Sequence, residues 1–308
     1  MEIVRVFPKN SIASTEAAVL ALGFFDGVHL GHRRLLEAVV AEAEARSALP
    51  AVFTFSDDAG RVKAGAACLT DFAERLRLFA EAGIRRVYTA EFREVSGLSP
   101  EAFVSDILLR QCGAAHAVCG FNFRFGKGAS GDADDLLRLM RERGLGASVV
   151  SAAYLGGEII SSSAIRRAIE AGDMPRAAAM LGRPFSLTAP VLHGRGFGRT
   201  EGVPTVNQSF RENTVLPRQG VYACRARLAD GSTVPAVANV GICPTFGGSV
   251  GLGVHCETHL IGYTGDLYGE SLTVELLHYL RPEKRFETVE ELYGQIASDV
   301  ETAKMLAE

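Results

Sequence analysis

Up to about residue 182 short apolar runs alternate with helix-period patterns, and after Phe185 the helices almost vanish. This change of grammar constrains the fold more than any single motif. Segments 19–22, 51–55, 86–90, 117–119 and 147–151 read as strands, with helical patterns at 71–82, 100–111 and 132–143 between them. Strand–helix alternation of this length implies a parallel sheet covered on both faces. Ligands of such sheets sit beyond the carboxyl ends of the strands. A helix over 164–171 breaks at Gly172-Asp173, and Pro175 opens a second short helix ending near Gly182. Segments 185–193, 221–228, 233–240, 254–263 and 271–279 then read as strands, with Asp230-Gly231 as a hairpin turn. Strands at this density predict a small antiparallel barrel. The last helix has Thr288 as N-cap, Glu291 completing a capping box, and Leu292, Ile296, Val300 and Ala303 along one face. The expected domains are therefore 1–182 and 183–308.

The bulk numbers suit two ordinary domains: 308 residues, 47% of them hydrophobic. A formal charge of −4 argues against a nucleic-acid or membrane-surface partner. No apolar run approaches the length of a membrane span, and the N-terminus has no secretory pattern. The six cysteines contain no C-x-x-C pair, which suits neither a zinc site nor a disulfide scaffold. A reduced, cytoplasmic protein is expected. Nothing in the sequence specifies an oligomeric state.

Gly23-Phe24-Phe25-Asp26-Gly27-Val28-His29-Leu30-Gly31-His32 follows the strand at 19–22 and opens a helical pattern with Leu35, Leu36, Val39, Val40 and Ala43 on one face. A helix start offers unpaired N–H groups and partial positive charge, a natural seat for phosphate. Imidazoles there can stabilise charge that develops in phosphoryl or nucleotidyl transfer; plain helix capping is the alternative. Gly120-Phe121-Asn122-Phe123-Arg124-Phe125-Gly126 follows another strand and is either a polar site loop or a turn of packed phenylalanines. Ser161-Ser162-Ser163-Ala164-Ile165-Arg166 sets hydroxyls and a guanidinium at a helix start, suited to a polyphosphate or to simple capping. Asp132 reads as the N-cap of its own helix.

Taken in order, HxGH, GFNFRFG and SSSxIR resemble the FAD synthetase (FMN adenylyltransferase) module of the HxGH nucleotidyltransferase superfamily. The resemblance implies that FMN phosphate attacks the α-phosphate of ATP and that pyrophosphate leaves, with catalysis by positioning and charge stabilisation. It implies that His29 and His32 contact ATP phosphates, Asn122 positions the reacting groups, and Ser162, Ser163 and Arg166 hold the polyphosphate. Gly23, Phe24, Asp26, Gly27 and Gly31 complete the implied nucleotide seat. One departure stands out: where the family reads Phe-x-Pro-His-Pro, this chain has Phe55-Ser56-Asp57-Asp58-Ala59-Gly60, near the flavin side of the site in relatives.

In the second half, the segment 194–207 is dense in glycine, letting backbone N–H groups approach phosphates. Thr205 and Asn207, two apart on an extended segment, offer hard oxygen ligands suited to one Mg²⁺. A barrel loop of turn residues is the alternative. GRTEGVPTVN, GVYA, NVGICPTFGG, GDLYG and VELLHYLRPEKRF resemble riboflavin kinase in family order, and the two halves together resemble the bacterial bifunctional riboflavin kinase/FAD synthetase. The resemblance implies nucleotide contacts at Gly194, Gly198, Arg199 and Thr200, Mg²⁺ at Thr205 and Asn207, and Glu275 as the base for the riboflavin 5′-hydroxyl. Glu257 and His259 read as structural. Cys243 stands where the family has arginine, and Ile261-Gly262-Tyr263-Thr264 replaces an acidic loop.

The expected protein makes FMN from riboflavin at the barrel and FAD from FMN at the α/β domain, with ATP and Mg²⁺ at both. Two rivals differ in class: a riboflavin kinase with a weak adenylyltransferase half, motivated by the 55–60 loop, and a flavin-sensing protein without turnover.

Overall fold

The computed structural model describes residues 1–8, 14, 16–56, 67–192, 204–242 and 254–307. Its contacts divide the chain into Met1–Ser162 and Ser163–Glu308. In the first unit, strands β1 (Glu2–Arg5), β2 (Ala18–Leu22), β3 (Leu49–Phe55), β4 (Arg86–Ala90), β5 (Ala114–Gly120) and β6 (Gly146–Val150) form a parallel sheet in the order β1-β4-β3-β2-β5-β6. The expected parallel α/β sheet is therefore present. β2 alternates between two cores: Ala18, Leu20 and Leu22 pack on one face, Val19 and Ala21 on the other. On the second face Leu35, Leu36, Val39 and Ala43 of α1 (Leu30–Ala45) are buried. Each large aliphatic side chain so buried contributes about 1.5–3 kcal/mol, which holds the start of α1 firmly at the sheet edge.

The strand order fixes where a ligand can sit. From β2 the chain moves to one side, through β3 and β4, and later returns to the other side as β5 and β6. The direction reverses between β2 and β5, whose ends lie in register at Leu22 and Cys119. A crevice beyond the carboxyl ends at such a reversal is the binding position of open α/β sheets.

Several local expectations differ from the structure. β1 is an extra edge strand with a mostly exposed, non-alternating pattern. A small hairpin, β7 (Tyr154–Leu155) with β8 (Glu158–Ile159), turns at Gly156-Gly157. The helix expected over 100–111 is α-helical only at Pro100–Ala102 and then widens into α3 (Phe103–Gln111), with the Cys112 N–H donating to the Ile107 carbonyl at 3.0 Å. Gln111 accounts for the widening: its buried amide accepts from Phe7 N–H (3.1 Å) and donates to Phe7 C=O (2.8 Å) and Asp106 C=O (3.2 Å). α2 (Phe72–Glu81) and α4 (Ala133–Arg141) carry Asp71 and Asp132 as N-caps, Asp132 within a capping box. The helix expected from residue 164 begins two residues earlier, as α5 (Ser162–Ala171), and α6 (Met174–Leu181) ends on Gly182 at φ +73°.

His116 on β5 is buried, 2.8 Å from Ser148 Oγ and 3.8 Å from Glu42. Burial holds its imidazole below the ordinary range; the Glu42 carboxylate opposes this and Arg46 reinforces it. A folded-state pKa below the unfolded value means the stability is present above about pH 6.5 and lost as pH falls through the folded value. His116→Asn is expected to flatten the decline in Tm between about pH 7 and pH 5, a difference read directly by thermal unfolding across that range.

In the second unit, β9 (Phe185–Pro190), β10 (Val206–Ser209), β11 (Gly220–Arg227), β12 (Thr233–Ile242), β13 (Val254–Leu260) and β14 (Ser271–Arg281) form an antiparallel sheet in the order β10-β13-β12-β11-β14-β9. It is nearly closed into a barrel. Leu192 N–H donates to Asn207 C=O at 2.8 Å, and buried Gln208 donates to the carbonyls of Ala189 and Leu272, each at 2.7 Å. The terminal helix α7 (Val289–Ala307) packs on β11 and β12 and is tied to β14 by Arg281 Nη2 on buried Asp299 (2.7 Å). Thr288 Oγ1 accepts the Glu291 N–H (3.2 Å), but Glu291 returns its bond to Glu287, one residue before the expected cap. The five described cysteines are buried and unbridged; burial pushes Cys119 up to about 12 and Cys256 up to about 11. None is a ready nucleophile.

Candidate active sites

At the β2 end the backbone is strained before α1 begins. Phe25 (φ +60°), Gly27 (φ +82°) and Val28 (φ +39°) all take left-handed conformations, and a β-branched residue there is a genuine outlier. Such strain persists only where surroundings over-determine it, and here they do. Buried Asp26 accepts the amides of Leu69 (2.8 Å) and Thr70 (3.3 Å), Gly27 N–H donates to Thr70 Oγ1 (3.0 Å), and Ser162 Oγ donates to the Asp26 carbonyl (3.0 Å). Asp26 thus anchors the loop from beneath. Phe24 is held too: its carbonyl accepts from Thr54 Oγ1 (3.0 Å) and Arg75 Nη1 (2.9 Å), and the Arg75 guanidinium lies 4.4 Å from its ring centroid. Arg75, wholly buried, is absent from the sequence reading because a lone arginine in an amphipathic helix looks like a solvated residue.

The loop delivers His29 as the N-cap of α1. Its Nδ1 accepts the His32 N–H at 3.3 Å, and the two rings stack with centroids 3.6 Å apart. Gly31 makes this possible, because a Cβ there would lie 3.2 Å from the His29 ring. The first amides of α1, at Leu30 and Gly31, have no intrahelical acceptor. Two imidazoles, free amides and the positive end of a helix thus converge where an anion is favoured. At the neighbouring strand end, exposed Asn122 follows Gly120, while Phe123 and Phe125 stack at 5.4 Å. The turn of packed phenylalanines is therefore present, with Asn122 exposed at its start. Ser162 and Ser163 open α5, and Arg166 lies buried one turn on.

The barrel carries a different arrangement. Along β13, Cys256, Thr258 and Leu260 are buried inward, so His255, Glu257 and His259 face outward. Residues opposite one another in an antiparallel pair share a face. Asn207 pairs with Glu257, and Glu257 pairs in turn with Asn239. Asn207 is buried, and its Oδ1 has no hydrogen-bond partner among the described residues. Half-buried Thr205 precedes it on the same side, and the His259 Nδ1–H donates to the adjoining Pro204 carbonyl at 2.9 Å. An orphaned amide oxygen beside a hydroxyl is a donor set suited to a hard cation such as Mg²⁺. The Glu257 carboxylate is exposed and makes no hydrogen bond or ion pair among the described residues.

Glu275 is placed otherwise. Its Oε2 accepts Arg225 Nε (2.9 Å) and Nη2 (2.8 Å), and its Oε1 accepts Arg227 Nη2. Both oxygens are thus engaged by guanidiniums. Asn239 pairs with Val221 and Glu275 with Arg225; at about 3.3 Å per residue, Glu275 lies roughly 13 Å along β11 from the Asn207–Glu257–Asn239 row. This geometry argues against Glu275 as the base, and sequence gave no view of it, since two arginines fifty residues upstream meet the carboxylate only through strand register. The signal for Glu257 was present in the period-2 alternation of 255–260. Gly194, Gly198, Arg199, Thr200, Cys243 and the 57–60 loop lie outside the described residues.

A family model described as FAD synthetase matches residues 11–164, and one described as riboflavin kinase matches residues 181–307. Over 99% of its length the chain is 36% identical to the bifunctional riboflavin kinase/FMN adenylyltransferase of Escherichia coli, covering 97% of that protein. It is 32% identical to the protein of the same name from Bacillus subtilis, over 98% of this chain and 97% of that one. A solved structure from Streptococcus pneumoniae, described as a macrolide-efflux protein, matches at TM-score 0.86 and 27% identity over 99% of both chains. Among the described residues no helix is long and apolar enough to cross a membrane.

Proposed function

We propose a division of labour between two sites, from the premise that this chain belongs to the family of bifunctional riboflavin kinase/FMN adenylyltransferases. The protein phosphorylates riboflavin to FMN and adenylylates FMN to FAD, with ATP as donor in both reactions. A kinase with a degenerate first half is not favoured, because the FAD synthetase model matches that half. We assign adenylyl transfer to 1–182 and phosphorylation to 183–308, although the contacts divide the chain nearer Ser162.

In adenylyl transfer an FMN phosphate oxygen bonds to the α-phosphorus of ATP as the bond to the β-phosphate oxygen breaks, releasing pyrophosphate. His29, His32 and the α1 amides would receive the charge that grows on the phosphate oxygens. Asn122, at the β5 end of the same reversal, would orient the reacting groups. Gly23, Phe24, Gly27 and Gly31 shape the seat; Asp26 acts through the loop it anchors. Ser162, whose Oγ donates to the Asp26 carbonyl, would hold the polyphosphate.

In phosphorylation the ribityl 5′-oxygen bonds to the γ-phosphorus, ADP leaves, and the hydroxyl proton passes to a carboxylate. We assign that carboxylate to Glu257 in place of Glu275, because Glu257 makes no hydrogen bond or ion pair among the described residues and shares a face with Asn207. Thr205 and Asn207 would hold Mg²⁺, which when bound supplies positive charge to phosphate oxygens. The observation that carries the kinase reading is the buried Asn207 Oδ1, which has no hydrogen-bond partner among the described residues and lies on the strand face shared with Glu257. We further propose a cytoplasmic enzyme of small-molecule substrates, without nucleic-acid or membrane partners.

Incubating the protein with riboflavin, ATP and Mg²⁺ and separating the flavins tests the bifunctional reading. FMN followed by FAD is expected. FMN alone would restore the kinase-only reading, and no product would indicate a flavin-binding protein.

A further inference from the structure

Glu257 has a second neighbour whose role the two reactions leave unassigned. β13 lies between β10 and β12, so Glu257 is flanked by Asn207 on one side and Asn239 on the other. Adjacent strands are about 4.8 Å apart, and all three residues share one face. The Asn239 Oδ1, like that of Asn207, is buried and has no partner among the described residues. Its orientation is fixed from the far end: Nδ2 donates to Glu283 Oε1 at 2.9 Å. Gly241 admits Glu283 there, since a Cβ would fall 2.4 Å from the same carboxylate oxygen. The amide oxygen is therefore the end turned from Glu283.

A buried carbonyl oxygen left unpaired is costly, so this one is built to meet a donor. The donor's class follows from two constraints. First, in-line phosphoryl transfer sets the attacking and leaving oxygens on opposite sides of phosphorus; with the phosphates on the Asn207 side of Glu257, the alcohol arrives from the Asn239 side. Second, the Glu283 carboxylate next to Asn239 disfavours an anion and tolerates a neutral hydroxyl. We infer that Asn239 is a specificity-determining residue of the kinase site, accepting a hydrogen bond from the ribityl 4′-hydroxyl, next to the reacting 5′ position. This rests on Glu257 as base and Asn207 as cation ligand.

Asn239→Ala is expected to raise both the KM and the Kd for riboflavin by about three- to tenfold, the effect of one neutral hydrogen bond. The KM for ATP and the conversion of supplied FMN to FAD stay unchanged. Kd is read by flavin fluorescence without turnover. Riboflavin lacking the 4′-hydroxyl should bind the wild type more weakly by a similar factor and bind Asn239→Ala no worse than riboflavin does. Glu283→Gln, which keeps an oxygen for Nδ2, should retain the wild-type Kd. If the Ala variant fails to fold, the same comparison is made with Asn239→Ser. An undiminished 4′-deoxy penalty in the Asn239 variant would overturn the inference. A Glu257→Gln enzyme that still makes FMN at the wild-type rate would instead overturn the reading beneath it.

Discussion

Glu257→Gln should lower FMN formation by about 10²- to 10⁴-fold, the usual contribution of a positioned general base, and leave the conversion of supplied FMN to FAD intact. The substitution is nearly isosteric and falls on an exposed carboxylate, so loss of fold does not compete as an explanation. Glu275→Gln is the necessary contrast. Glu275 is buried under Arg225 and Arg227, so that change removes a charge two guanidiniums require and should lower stability. Its kinase rate at a permissive temperature should stay within a few-fold of wild type. A Glu275→Gln enzyme that is stable yet dead, beside an active Glu257→Gln enzyme, would return the base to Glu275.

His29→Ala should have the mirror-image effect. FAD formation should fall by about 10²- to 10³-fold, as when one preorganised donor to a developing negative charge is removed, while FMN formation is untouched. His29 also caps α1, and loss of a cap costs about 0.5–2 kcal/mol. His29→Asn separates the two roles, because asparagine can cap and cannot replace the imidazole. It should regain the wild-type Tm and remain inactive in FAD formation; full recovery of activity by His29→Asn would mean that capping alone was needed.

The fold was largely legible because each half obeys one period. β2 and β5 read as apolar runs, and the sheet reversal between them follows from alternation plus chain order. β1 escaped because an edge strand with exposed residues shows no alternation. The widened turn at 103–111 escaped because its cause, Gln111 bonding to Phe7, spans more than a hundred residues. The candidate adenylyl site could be picked out for the same reason as the sheet: the residues at 23–32 are contiguous and sit on one loop and one helix start. The proposed kinase site was harder. Asn207, Glu257 and Asn239 come from three strands, and only register brings them into a row. A sequence offers Glu257 and Glu275 as equivalent glutamates on strands. What separates them is occupancy, with two arginines on Glu275 and, among the described residues, no hydrogen-bond or ion-pair partner on Glu257.

In the proposed division of labour two sites act in series through free FMN, with Glu257 serving the first and His29 the second. Its most direct test follows FAD by chromatography in a mixture of Glu257→Gln and His29→Ala proteins supplied with riboflavin, ATP and Mg²⁺. FAD is expected from the mixture, FMN alone from His29→Ala, and neither product from Glu257→Gln. FAD from Glu257→Gln by itself, or none from the mixture, would contradict it.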